Sequence, residues 1–212
     1  MNNILSEKEE QFLAFINEVE CASMYEVSYI LSEYFDLSER QIAKMINHLR
    51  NSYYIDLVNN DKYILAGNRK KENAAKPNKG RIIALQIALS QMRTDHEDRN
   101  SLMNMMVEVG SSLVFLSGGV RYDVYCLRVE DIYKISIVQD KYLKKYNRLA
   151  NDRFNKNQVV NEVVYFAFDC PEKTEEIMEK MSELNLQIPH AIIILHNKDV
   201  SGNITFDMYS GQ

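Results

Sequence analysis

"DLSERQIAKMINHLRNSYYIDLVNNDKYIL", Asp36 to Leu65, changes its period halfway. In the first part Ile42, Ile46, Leu49 and Tyr53 recur at i, i+4, i+7 and i+11, the apolar stripe of a helix. Ser38 and Gln41 stand three apart at its start, the spacing of a capping box. The opposite side offers Arg40, Gln41, Lys44, Asn47, His48 and Asn51. After this helix the pattern alternates: "YYIDLV" runs out, "NND" turns, and "KYILA" returns. That is the signature of a two-stranded hairpin.

Moving toward the N-terminus, Ser6-x-x-Glu9 and Ser23-x-x-Glu26 repeat the capping box. Each cap stabilises its helix by about 1 kcal/mol. One predicted helix gathers Phe12, Phe15, Ile16 and Val19 on a face, and the next gathers Val27, Ile30 and Leu31, with Phe35 one turn on. Three short helices, a turn at "FDLS" between the second and third, and a hairpin give an order that can be named. Residues 6–66 resemble a winged helix-turn-helix domain of the bacterial regulator type.

The resemblance implies that the third helix enters the major groove of duplex DNA. Arg40, Gln41, Lys44, Asn47, His48 and Asn51 would then be the contacts, with Arg suited to guanine edges, Asn to adenine and Lys to phosphate. The wing would be "VNNDK", in which Lys62 is the only cation. Many wings of this family are more basic, and Asp56 and Asp61 oppose phosphate. The plainer alternative is a solvated helix face, which is polar by default.

The net charge of −5 is unevenly divided. Residues 1–66 carry net −6, residues 67–81 net +5 and residues 82–212 net −4. Non-specific DNA affinity comes largely from neutralised phosphates, so an acidic first domain must segregate its charge in order to bind. The expected division is a domain at 1–66, a basic linker at 67–80 and a second domain at 81–212. In the linker, Arg69, Lys70 and Lys71 form a basic arm that can follow the backbone or a minor groove. A solvated linker is the alternative.

The second domain predicts helices at 81–92 and 101–109, then strands at 112–117, 120–128 and 131–139. A basic helix at 141–156, a strand at 161–169, a helix at 172–184 and strands at 190–197 and 203–210 follow. The expected class is α/β (α+β overall) with a mixed central sheet. Asp123 on one strand and Lys134 on the next, preceded by Glu130 and Asp131, resemble the core of restriction-endonuclease-like nucleases. There, two carboxylates hold a divalent metal and a lysine positions water. A winged helix joined to such a domain is similar to the replication-relaxation proteins of plasmids and conjugative elements. Their basic helix is matched by Lys141, Lys144, Lys145 and Tyr146. The acidic-x-Lys triplet is absent, since Ile132 stands two before Lys134. The domain is therefore expected to be nuclease-like in outline but without a complete catalytic set.

Other chemistry is not signalled. There is no phosphate-binding glycine loop, no metal-ligand spacing among His48, His96, His190 and His196, and no nucleophile triad. The Met-rich "SLMNMMVEVG" reads as helix core. Cys21, Cys126 and Cys170 are too scattered for a ligand set and read as buried reduced thiols. No cofactor and no metal are expected. The start of the chain lacks a signal-peptide pattern, and no apolar run has membrane-span length, so a cytoplasmic location is expected. The expectation is a DNA-binding regulator of transcription or replication, of a mobile element, with double-stranded DNA as partner and a non-catalytic C-terminal domain. The thirteen tyrosines suit interfaces, and pairing into a homodimer would serve two half-sites. Two alternatives stay open: a metal-dependent nuclease using Asp123, Glu130 and Lys134, and a protein-interaction module that kept the shape and lost DNA.

Overall fold

Each predicted cap sits immediately before a helix. A computed structural model of the protein describes residues 4–67, 77–151, 161–198 and 204–210. Helix α1 (Glu7–Val19) follows Ser6, α2 (Met24–Glu33) follows Ser23 and α3 (Glu39–Asn51) follows Ser38. Glu9 Oε2 accepts from the Ser6 amide at 2.8 Å, and Gln41 Oε1 accepts from the Ser38 amide at 2.9 Å. The hairpin is β2 (Ile55–Val58) and β3 (Tyr63–Ala66). A strand that the sequence did not announce, β1 (Cys21–Ser23), pairs antiparallel with β3, giving the sheet order β1-β3-β2. Three residues squeezed between two helices are too short to show a period.

The C-terminal part is built on a five-stranded sheet, β4 (Leu113–Ser117), β5 (Val120–Leu127), β6 (Glu162–Phe168), β7 (His190–Lys198) and β8 (Ile204–Ser210), in sequential order. The β5, β6 and β7 strands are parallel, while β4 and β8 run antiparallel at the edges. The protein is thus a mixed α/β molecule: N-terminal helices on a small antiparallel sheet, and a mixed five-stranded sheet with helices. Parallel neighbours need crossover connections, and these are α6 (Lys134–Asn151) and α7 (Thr174–Glu183).

That requirement corrects the strand expected at 131–139. The segment is a 3-10 turn, Val129–Asp131, followed by the start of α6. Ile135, Val138 and Tyr142 are buried at helical spacing, whereas Ile137, which alternation would place beside Ile135, is 64% exposed. The basic helix expected from Lys141 therefore begins seven residues earlier, and its continuation past 151 lies outside the described residues. The helix expected at 101–109 is shorter, α5 (Arg99–Met103), and Met106 instead bridges to Val114 beside the sheet. Tyr53 does not extend the inward stripe of α3. The helix ends at Asn51, and Tyr53 follows with φ +60° and 81% of its surface exposed.

Between the two sheets lies α4 (Lys79–Thr94), which touches β1 on one side and β4 and β5 on the other. It is apolar nearly all round, as a helix enclosed on both sides must be. Ile82 packs on Cys21 and Leu65, while Ile83, Leu85, Ile87 and Met92 join one continuous core running from Phe12 to Leu195. A second core under α6 and α7 covers the other face of the large sheet. The first helix of the expected second domain is thus shared by both parts. Polar contacts reinforce the join. Gln86 of α4 donates to Glu26, a fully buried carboxylate of α2 that also takes the Ser23 amide. Arg99 donates to the Tyr34 carbonyl at 2.8 Å and to Gln11 at 3.1 Å. None of the three cysteines is joined in a disulfide; Cys21 is buried and the other two are half-buried.

Candidate nucleic-acid interface

Helix α3 buries Ile42, Met45, Ile46 and Leu49. Its opposite side carries Arg40, Lys44, Asn47 and Asn51, all exposed and none with a hydrogen-bond or ion-pair partner among the described residues. At 100° per residue their spacings of four, three and four keep them within one narrow stripe, about 16 Å long. The stripe presents a guanidinium, an ammonium and two amides. These are the groups that read base edges and phosphates.

Two of the expected contacts are engaged elsewhere. The Gln41 side-chain oxygen accepts from both the amide and the hydroxyl of Ser38, at 2.9 and 2.7 Å, and so serves the helix cap. His48 turns toward α1, where its Nδ1 lies 2.6 Å from Glu9 Oε1. Burial raises the Glu9 carboxyl, but the hydrogen bonds from His48 and Ser6 outweigh it and hold the group below 4.5. Glu9 is thus both the capping acid of α1 and the anchor of α3.

Beside the stripe a groove of about 540 Å³ runs between α2, α3 and the hairpin. Met24, Leu37, Ile42 and Leu57 are among its apolar lining, and Ser28, Ser32, Glu39, Asn47, Arg50 and Asp61 form its polar one. Arg50, absent from the sequence-derived set, lies 3.6 Å from Asp61 at the hairpin tip. That tip is Asn59, Asn60 and Asp61, all with φ near +55 to +60°, a region that Asn and Asp enter more readily than other side chains. Lys62 is exposed beside it.

The chain leaves α3 through a Schellman-type end. The Tyr54 amide donates to the Leu49 carbonyl and the Tyr53 amide to that of Arg50, both at 3.0 Å. Gly67 closes the hairpin against this end, its amide bonded to the Tyr54 carbonyl at 3.0 Å. A Cβ at 67 would stand 2.6 Å from the Tyr53 carbonyl oxygen. Arg69, Lys70 and Lys71, the expected basic arm, lie outside the described residues. Of the other cations nearby, Lys79 pairs with Asp169 and Arg81 with Glu20.

Asp123, Glu130 and Lys134 are not brought together. Asp123, 3% exposed on β5, accepts from Arg121 Nε at 2.8 Å and from the Tyr142 hydroxyl. Glu130 is exposed in the 3-10 turn, 3.6 Å from Lys173. Lys134 is the first residue of α6 rather than a strand residue, and pairs with Asp131 at 2.7 Å. The surroundings of Asp123 are a different set: Arg121, which also binds Glu108 at 2.7 Å, and Glu162, which takes Lys145. Burial and the Asp123 carboxylate push the Tyr142 phenol far up, so it remains a donor to Asp123. Among the described residues, no group of three or more His, Cys, Asp or Glu side chains is arranged to hold a metal ion.

No protein-family model and no curated protein matches this chain. Among the described residues no helix is long and apolar enough to cross a membrane.

Proposed function

We propose that the protein binds double-stranded DNA through α3, as a regulator of transcription or replication, with the C-terminal sheet serving assembly or partner binding. The observation that carries this reading is the stripe of Arg40, Lys44, Asn47 and Asn51, four donors on one helix face without internal partners among the described residues. A side chain held in reserve on a rigid helix is what base and phosphate contact requires. The order helix, strand, helix, helix, hairpin supports the likeness to a winged helix, with α3 in the recognition place. Lys62 would add a backbone contact from the wing. The reading extends to a cytoplasmic protein of the replication-relaxation kind, carried by a mobile element and paired on two half-sites.

The test is fluorescence anisotropy of the full chain with duplexes recovered by selection from a random library. Arg40→Ala is expected to weaken binding roughly tenfold and to relax preference at one base position. Lys44→Ala weakens all sequences alike and lowers the salt slope by about one. Absence of wild-type binding at low salt, or unchanged binding when all four stripe residues are alanine, refutes the proposal.

A further inference from the structure

Arg50 stands on α3 but off the free stripe, on the side that faces the hairpin. Its Nη1 is 3.6 Å from Asp61 Oδ2, and both side chains are about half exposed. The two line the same groove, one from the helix and one from the hairpin tip. The tip is set by three successive left-handed residues, closed by the Lys62 amide bonded to the Asn59 carbonyl at 3.3 Å. This geometry places a carboxylate beside the one α3 cation that the free stripe does not contain.

An exposed ion pair of this length adds little to stability. A carboxylate and a phosphate, however, offer a guanidinium the same charge and the same paired oxygens. We propose that Arg50 is a further DNA-contact residue and that Asp61 is its internal stand-in for a backbone phosphate. A duplex phosphate reaching the mouth of the groove between α3 and the hairpin takes the guanidinium from Asp61. Until that exchange happens, Asp61 masks the charge of Arg50 and repels phosphate. The inference rests on the DNA-binding reading and adds a residue and an affinity control to it.

The experiment compares wild type, Asp61→Asn, Arg50→Gln, the double variant and Asp56→Asn in the same anisotropy titration, over a series of salt concentrations. Asp56 is the control, an acid of the same hairpin with no ion-pair partner among the described residues. Asp61→Asn is expected to tighten binding roughly fivefold and to steepen the salt slope by about one phosphate. Arg50→Gln weakens binding, and in that background Asp61→Asn gains little. Circular dichroism melts confirm that the variants stay folded. A gain that persists without Arg50, an equal gain from Asp56→Asn, or no gain from Asp61→Asn overturns the inference. If wild type binds and loses binding on Arg40→Ala while Asp61→Asn changes nothing, the DNA reading stands and this inference alone falls. If neither wild type nor any variant binds, both fall.

Discussion

Tyr53 holds a backbone conformation that glycine usually takes, and it does so with its ring in solvent. A non-glycine residue there costs on the order of 1 kcal/mol. Tyr53→Gly is therefore expected to stabilise the protein by about 1 kcal/mol, read as a higher denaturant midpoint. A lower midpoint would show that the ring supports the fold. A second prediction concerns Glu9. Its carboxyl is held below 4.5 when folded, so it adds stability above that pH and loses it as acid protonates the folded form. The stability gap between wild type and Glu9→Gln should be present near neutrality and close as pH falls below 4.5; a gap independent of pH would contradict this. Residue identity was legible in the sequence, but residue employment was not. Gln41 and His48 have the chemistry of DNA contacts, yet one is held by Ser38 and the other by Glu9, thirty-nine positions away.

Elements with strong local signals were legible, and those set by their neighbours were not. The three Ser-led caps fix the helix starts because the hydrogen bonds involved span only three residues. The hairpin is equally local. The start of α6 is different: "YKISIV" alternates like a strand, but the parallel pairing of β5 with β6 demands a crossover there. The helix predicts an asymmetry that a strand would not. Ile135→Ala should cost about 2–4 kcal/mol, because Ile135 is fully buried. Ile137→Ala should be nearly silent in the same urea titration. Comparable losses at both positions would favour the strand. Strand β1 owes its existence to the pairing with β3 and left no trace in the local pattern.

The chain was expected to divide at 67–80, and the composition there does change. The core nevertheless runs through α4 from one sheet to the other. Charge and turn residues report where a chain is wet, not which apolar faces meet later. The shared core predicts one cooperative unfolding transition for the full chain, with calorimetric and van't Hoff enthalpies in agreement. Two resolved transitions, or a calorimetric excess, would mean that the halves are independent. In the candidate interface, the stripe on α3 was readable from helical spacing. The Arg50–Asp61 pair was not, since it depends on the curl of the hairpin tip.

The position of α4 also sets an order on synthesis. Residues 4–67 leave the ribosome with every strand of their own sheet, but the seat formed by Cys21 and Leu65 stays uncovered until Ile82 arrives. Once α4 has docked there, its other side awaits β4 and β5, the next strands to be made. The nascent chain thus carries an open apolar surface from the first sheet to the second. Its vulnerable period, when aggregation or chaperone capture competes with folding, lasts until the large sheet closes over that helix.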